Sequence, residues 1–251
     1  MHEKKEIMEH VEELRKRVLF TSYFFIAALF VGFYFAKPLV NYLQHAPWLE
    51  MTEMHAFNVT DPLRIYLTMI VIIAFIIILP VVLYQFWAFV SPGLYEKERQ
   101  VTLIYIPIAF LLMLLGMVFA YYIIVPYIVK FTFSLSIEMG IVSTIGINDY
   151  FGFLVRTVLP FGIIFQMPIL VLFATQLGII TPMFLKKNRK YAYFILFVVA
   201  ALIAPPDVMT HFLLTLPMIL LYEISISVSK IGYRRYLKAE EAALKQSLEE
   251  D

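Results

Sequence analysis

Residues 65–89 read IYLTMIVIIAFIIILPVVLYQFWAF, an unbroken run without a charged side chain. A helix rising 1.5 Å per residue needs roughly 20 apolar residues to cross about 30 Å of hydrocarbon, so this stretch is a membrane span with length to spare. Working outward from it, 18–36, 101–125 and 157–178 pass the same test. The composition agrees: 61% of the 251 residues are hydrophobic and the mean hydropathy is +0.81, whereas soluble domains are about half apolar. The run 18–36 is longer than a signal-peptide core, and Lys37-Pro38 follows it in place of a small-residue cleavage site. It is therefore expected to remain as the first span.

The last apolar region, Tyr191 to Tyr222, contains APPD at 204–207. Two consecutive prolines cannot continue a helix, and an aspartate at the bilayer centre costs about 2.5–3.5 kcal/mol on insertion scales. The region reads as two helices, 191–204 and 208–228, joined by a tight turn. Each is short for a crossing, so either the bilayer thins around them or the pair forms a re-entrant hairpin. The preferred reading is an all-α polytopic membrane protein forming a single membrane domain over 1–251, with six spans and helical caps on the outer segments 37–64 and 127–150.

The basic residues orient this bundle, because cytoplasmic flanks carry the excess of lysine and arginine. With the N-terminal segment 1–17 and the tail 229–251 both inside, all but Lys37, Arg64, Lys130 and Arg156 of the 20 basic residues fall on the cytoplasmic side. The tail KAEEAALKQSLEED reads as a frayed helix. The net charge of +1 gives no footprint for nucleic acid. The chain has no cysteine, and its five histidines contain no pair at i,i+4 spacing. No HExxH, GxSxG, P-loop or dinucleotide fingerprint is present. The expectation is a non-enzymatic protein without a metal or cofactor.

Two acidic pairs stand out. HVEELRKR at 10–17 places Glu12 and Glu13 before a basic triplet, and SPGLYEKERQ at 91–100 places Glu96 and Glu98 between the second and third spans. On a helix, Glu12–Lys16 and Glu13–Arg17 are i,i+4 ion pairs worth a few tenths of a kcal/mol, which is the plain reading of the first pair. Acidic residues at a helix start are the plain reading of the second. The functional alternative is that Glu13 and Glu98, both at cytoplasmic span mouths, together hold two arginines of a ligand, since a guanidinium forks onto a carboxylate.

HVEELRKR, LYQFWAFVSPGLYEKER at 83–99, LPFGIIFQMP at 159–168 and PPD at 205–207 together resemble the TatC family, the receptor subunit of the twin-arginine protein translocase. From AFNVTDPL onward the chain is similar to the Gram-positive members. The resemblance implies that Glu13 and Glu98 recognise the paired arginines of signal peptides, with Arg15 and Phe89 in the same patch. It makes Pro47 a sensitive position of the first outer loop and Asp207 an acidic group near the outer end of the last helices. Rigidity of a cap accounts equally for Pro47, and a helix N-cap for Asp207.

Gln166 departs from the family, many of whose members carry a glutamate there. It is either interhelical hydrogen-bond glue worth about 1 kcal/mol or part of a docking site for a partner helix, and it cannot titrate. The implied partners are TatA-type, or TatA- and TatB-type, single-span subunits, twin-arginine signal peptides of folded cargo and the lipid bilayer, within a homo- or hetero-oligomer. The implied mechanism is signal-peptide binding, partner recruitment and export of folded proteins on the proton-motive force across the bacterial cell membrane. The competing reading is a secondary transporter of a small solute or ion, which usually carries a mid-membrane charge.

Overall fold

Asp61, an acidic residue buried at the head of a long apolar helix, organises the start of the second span. In the computed structural model its Oδ2 accepts hydrogen bonds from the backbone N–H groups of Phe57 (3.1 Å) and Asn58 (2.9 Å). Burying a carboxylate is costly unless donors satisfy it, and here the preceding loop supplies them. Pro62 follows in the first turn of the helix, where a missing N–H costs nothing. The structure describes residues 2–49, 54–90, 103–142, 144–203 and 208–249. Side chains are described for 12–49, 54–88, 103–142, 144–203, 208–238, 240–242 and 245.

The helices are α1 (His2–Gln44), α2 (Asp61–Val90), α3 (Tyr105–Phe119), α4 (Val125–Glu138), α5 (Ile147–Ile164), α6 (Met167–Gln176), α7 (Pro182–Lys187), α8 (Arg189–Ile203) and α9 (Val208–Glu249). A π-helical turn, Ala120–Ile124, joins α3 to α4. Two short strands, β1 (Met54–His55) and β2 (Ile145–Gly146), pair in parallel. Five helical segments are long and apolar enough to cross a membrane among the described residues: Glu12–Gln44, Asp61–Ala88, Tyr105–Glu138, Ile147–Gln176 and Val208–Ala242. At 15 residues, α8 is about 22 Å long, short of a full hydrocarbon thickness.

The chain divides into two units, Met1–Pro92 with Thr144–Phe151, and Gly93–Ser143 with Gly152–Asp251. In the first, α1 and α2 pack along a stripe of small residues. Ala28, Gly32 and Ala36 recur every fourth position on α1 and, like Ala74 on α2, are buried. A Cβ on Gly32 would stand 2.5 Å from the carbonyl oxygen of Ile70, so glycine is what permits the backbones to approach this closely. Small residues draw helices together where lipid removes the hydrophobic drive for association. The segment 144–151 is pinned to this unit by the β1–β2 pair and by the Tyr150 hydroxyl, which donates to Leu43 O at 3.2 Å.

The second unit holds the larger core. Ala120, Ile124, Phe161, Phe165, Leu196, Ala200, Leu214 and Met218 form one buried cluster. Gly178, at φ 71°, ends α6 in a Schellman turn: Ile179 N–H bonds Ala174 O at 3.0 Å and Gly178 N–H bonds Thr175 O at 3.2 Å. Thr181 then caps α7 by accepting from Phe184 N–H at 3.2 Å, with Pro182 at the first position.

Three expectations need correction. The helix that carries the third span does not end at Val125 but runs on to Glu138. Pro126 fails to stop it: Val125 N–H reaches back to Ala120 O, five residues away, and this wider turn carries the helix past a residue that has no N–H to give. The outer segments are also not caps of short helices alone. The helix α1 continues through Pro38 to Gln44, and 37–64 and 127–150 contribute a parallel strand pair to an otherwise helical fold. The tail is likewise an unbroken continuation of α9 to Glu249.

Candidate functional site

Glu13 lies on α1 with its side chain 40% exposed. Its Oε1 accepts from two nitrogens of Arg17, Nε at 3.2 Å and Nη2 at 2.5 Å. Its Oε2 has no hydrogen-bond partner among the described residues. Arg17, only 22% exposed, also donates through Nη1 to Gln85 Oε1 and through Nη2 to Ala88 O, both at 3.1 Å. The guanidinium thus ties the entry of α1 to the last turns of α2. Both i,i+4 pairs form, Glu12–Lys16 as well as Glu13–Arg17. The Glu12–Lys16 pair, at 3.0 Å, is largely exposed and contributes little. The Glu13–Arg17 pair is anchored by two more acceptors on another helix, so its geometry is held.

Arg15 is exposed on the same stretch of α1. Phe89 belongs to the last turn of α2, while its side chain, all of Glu98 and all of Asp207 lie outside the described residues. Pro47 opens a 3-10 turn, Pro47–Leu49, closed by Leu49 N–H to Ala46 O at 2.9 Å. Its fixed φ suits this position, and the turn buries Leu49.

Gln166 sits in the break between α5 and α6, two residues before Pro168. It is 8% exposed. Its Nε2 donates to Ala109 O on α3 at 2.9 Å, and its buried Oε1 has no partner among the described residues. The interhelical bond foreseen for it is made, to a backbone carbonyl.

Sequence reading passed over two polar sets. On α8 and α9, Glu223 accepts from Arg189 Nη2 at 2.7 Å and from the Tyr193 hydroxyl at 2.6 Å. At the start of α3, the Tyr105 hydroxyl oxygen is contacted by Gln176 Nε2 at 2.9 Å and by Arg235 Nη1 at 2.7 Å. A signal was available for both: Glu223 and Gln176 are polar positions inside apolar runs, where polar groups are normally paired.

The profile of the family described as "Sec-independent protein translocase protein (TatC)" matches residues 9–217. The chain belongs to the TatC family. It is 50% identical over 236 residues to TatCy of Bacillus subtilis, covering 94% of this chain and 93% of that one. It is also 47% identical to TatC of Listeria innocua, covering 90% and 92%. Among solved structures, a crystal structure titled as the twin arginine translocase receptor TatC superposes with a TM-score of 0.75 at 37% identity, covering 89% of this chain and 99% of that one. The TatC-family chain is thus a multi-pass bacterial membrane protein of a protein-transport family, similar to the TatC proteins of Gram-positive bacteria. TatC is a translocase component, not an enzyme family.

Proposed function

We propose that this chain is the receptor and core subunit of a twin-arginine translocase, with six spans and both termini in the cytoplasm. Glu13 and Glu98 bind the paired arginines of signal peptides, and Arg15 and Phe89 line the same patch. The observation that carries this reading is the state of Glu13. One carboxylate oxygen is fixed by Arg17 while the other is left without a described partner, in a family whose solved relative is titled a twin-arginine translocase receptor. A half-satisfied, half-exposed carboxylate accepts a second guanidinium without reorganising the first.

On this reading TatA-type subunits, alone or with TatB-type ones, are recruited once cargo is bound, and folded proteins are exported at the expense of the proton-motive force. Gln166 lines the docking site of a partner helix. Pro47 keeps the first outer turn rigid, and Asp207 marks the outer end of the short last pair. The modest length of α8 supports local bilayer thinning, which lowers the barrier to opening a passage.

The test is to exchange Glu13 or Glu98 for alanine and for lysine, then to follow export of a folded twin-arginine reporter and crosslinking of its signal peptide to the purified chain. Both lysine variants are expected to lose crosslinking. Undiminished crosslinking in both overturns the receptor reading.

A further inference from the structure

In the second unit, contacts along α9 place the ends of its neighbours at two different depths. The Arg235 guanidinium meets the Tyr105 hydroxyl of α3 at 2.7 Å, and a Cβ on Gly178, just past α6, would stand 2.9 Å from the Tyr236 ring. The segment that follows descends from that level. The Tyr222 hydroxyl donates to Leu185 O in α7 at 2.9 Å, and Glu223 accepts from Arg189 and Tyr193 at the start of α8. From Val208, the first residue of α9, Arg235 is about 40 Å away at 1.5 Å per residue, the thickness of a bilayer with its headgroups. Glu223 is only about 22 Å away, less than the hydrocarbon alone. The turn from α7 into α8 is therefore a shelf, about 18 Å along α9 below the rim at Tyr105 and Arg235.

The shelf is basic. Lys186, Lys187 and Lys190 are exposed on it and have no carboxylate partner among the described residues, because Glu223 is taken by Arg189. A lysine stem can carry its ammonium some way toward water, but not across the depth of the shelf. Beyond the lysines α8 turns an apolar face outward: Tyr191, Phe194, Ile195, Val198 and Leu202, at i, i+3, i+4, i+7 and i+11, are all exposed. This stripe runs about 16 Å, one leaflet of hydrocarbon. Cations at the head of a leaflet-long apolar face are complementary to a phosphate with acyl chains attached. An apolar helix packed on the stripe would leave the lysines unpaired, and a zwitterionic headgroup would bring its own ammonium to them.

We infer that the α7–α8 shelf is a binding site for an anionic phospholipid, whose phosphate is held by Lys186, Lys187 and Lys190 while its acyl chains lie along the exposed face of α8. The bound headgroup neutralises the lysines at a depth that hydrocarbon would otherwise occupy. The Arg189–Glu223 pair docks the shelf on α9. The site does not depend on the receptor reading and leaves Glu13 and Glu98 untouched.

The experiment uses the full chain in phosphatidylcholine nanodiscs that contain increasing fractions of nitroxide-labelled phosphatidylglycerol or, separately, of nitroxide-labelled phosphatidylcholine. Because the chain has no cysteine, Phe194→Cys carries a single fluorophore on the stripe. Phosphatidylglycerol is expected to quench it at a mole fraction at least about fivefold lower than phosphatidylcholine, the factor that accompanies one basic residue at an anionic surface. Exchanging Lys186, Lys187 and Lys190 together for glutamine should bring the two lipids to the same value, whereas Arg234→Gln with Lys238→Gln, beside the rim, should keep the preference. Equal quenching by both lipids in the parent overturns the inference, as does a preference that survives the lysine exchange. Displacement of the lipid by millimolar inorganic phosphate would make the shelf a site for free anions and overturn it too. Absence of quenching by either lipid would mean that a second copy of the chain covers the stripe, with the same consequence. Should the triple variant not fold, salt decides in the parent: the preference should shrink at high ionic strength, and a preference indifferent to salt overturns the role of the lysines.

Discussion

Gln166 donates its side-chain N–H to the backbone carbonyl of Ala109 at 2.9 Å, across two helices and with both residues buried. The bond joins the break between α5 and α6 to the second turn of α3. An amide can donate to a carbonyl, whereas an ionised carboxylate can only accept.

Gln166→Glu is therefore expected to lower thermal stability at neutral pH, because a carboxylate would face the Ala109 carbonyl. Gln166→Ala should cost about 1 kcal/mol, the usual worth of an interhelical hydrogen bond in a membrane bundle. Thermal unfolding of the purified variants in detergent checks both. A glutamate variant as stable as the parent at neutral pH contradicts the donor role.

Arg17→Lys retains the charge and loses the fork that reaches Glu13, Gln85 and Ala88 together. Signal-peptide crosslinking should fall in this variant, and Gln85→Ala should produce a smaller loss, since it removes one of Arg17's contacts and leaves Glu13 paired. Equal crosslinking in Arg17→Lys and the parent would remove the positioning role.

Gly32→Leu places side-chain atoms where the Ile70 carbonyl already stands, 2.5 Å from the first added carbon. Gly32→Ala is expected to destabilise by about 1–3 kcal/mol through overpacking, and the leucine variant by more. Yield of monodisperse protein and the melting temperature report the effect.

Arg189→Ala leaves Glu223 with only the Tyr193 hydroxyl. At 38% exposure of the Glu223 side chain, solvent screens much of the loss, so the expected cost is about 1 kcal/mol. Glu223→Gln keeps an oxygen for only one of the two partners, which bond different carboxylate oxygens, and should cost about 1 kcal/mol. A larger effect of Glu223→Gln would mean that the charge itself is needed.

The proposed topology is open to labelling, because single cysteines are unambiguous in a cysteine-free chain. In intact cells, Val59→Cys should react with a membrane-impermeant maleimide, while Glu241→Cys should react only after lysis. Reaction of the tail cysteine in intact cells would indicate five crossings.

The ion pairs at the entry of α1 were legible. HVEELRKR shows both i,i+4 pairs because their spacing is a property of one helix. Apolar run length likewise marked which segments are helical, since the hydrocarbon thickness sets the requirement. The continuation of the helix through Pro126 was not legible, because a π turn is a local adjustment with no sequence signature of its own. The loop around Asp61 and the parallel strand pair were not legible either, since both depend on backbone groups that meet only after the chain has folded.

Sequence alone thus determined the membrane class, the family and the helices, all of which follow from local composition, periodicity and motif order. Tertiary structure decided how the polar residues are used. Arg17 finds Gln85 and Ala88 across 68 and 71 positions, and Gln166 finds Ala109 across 57. Helix crossings choose those partners: the close approach at Gly32 sets where α1 and α2 touch and where they part, and hence which groups of α2 Arg17 reaches.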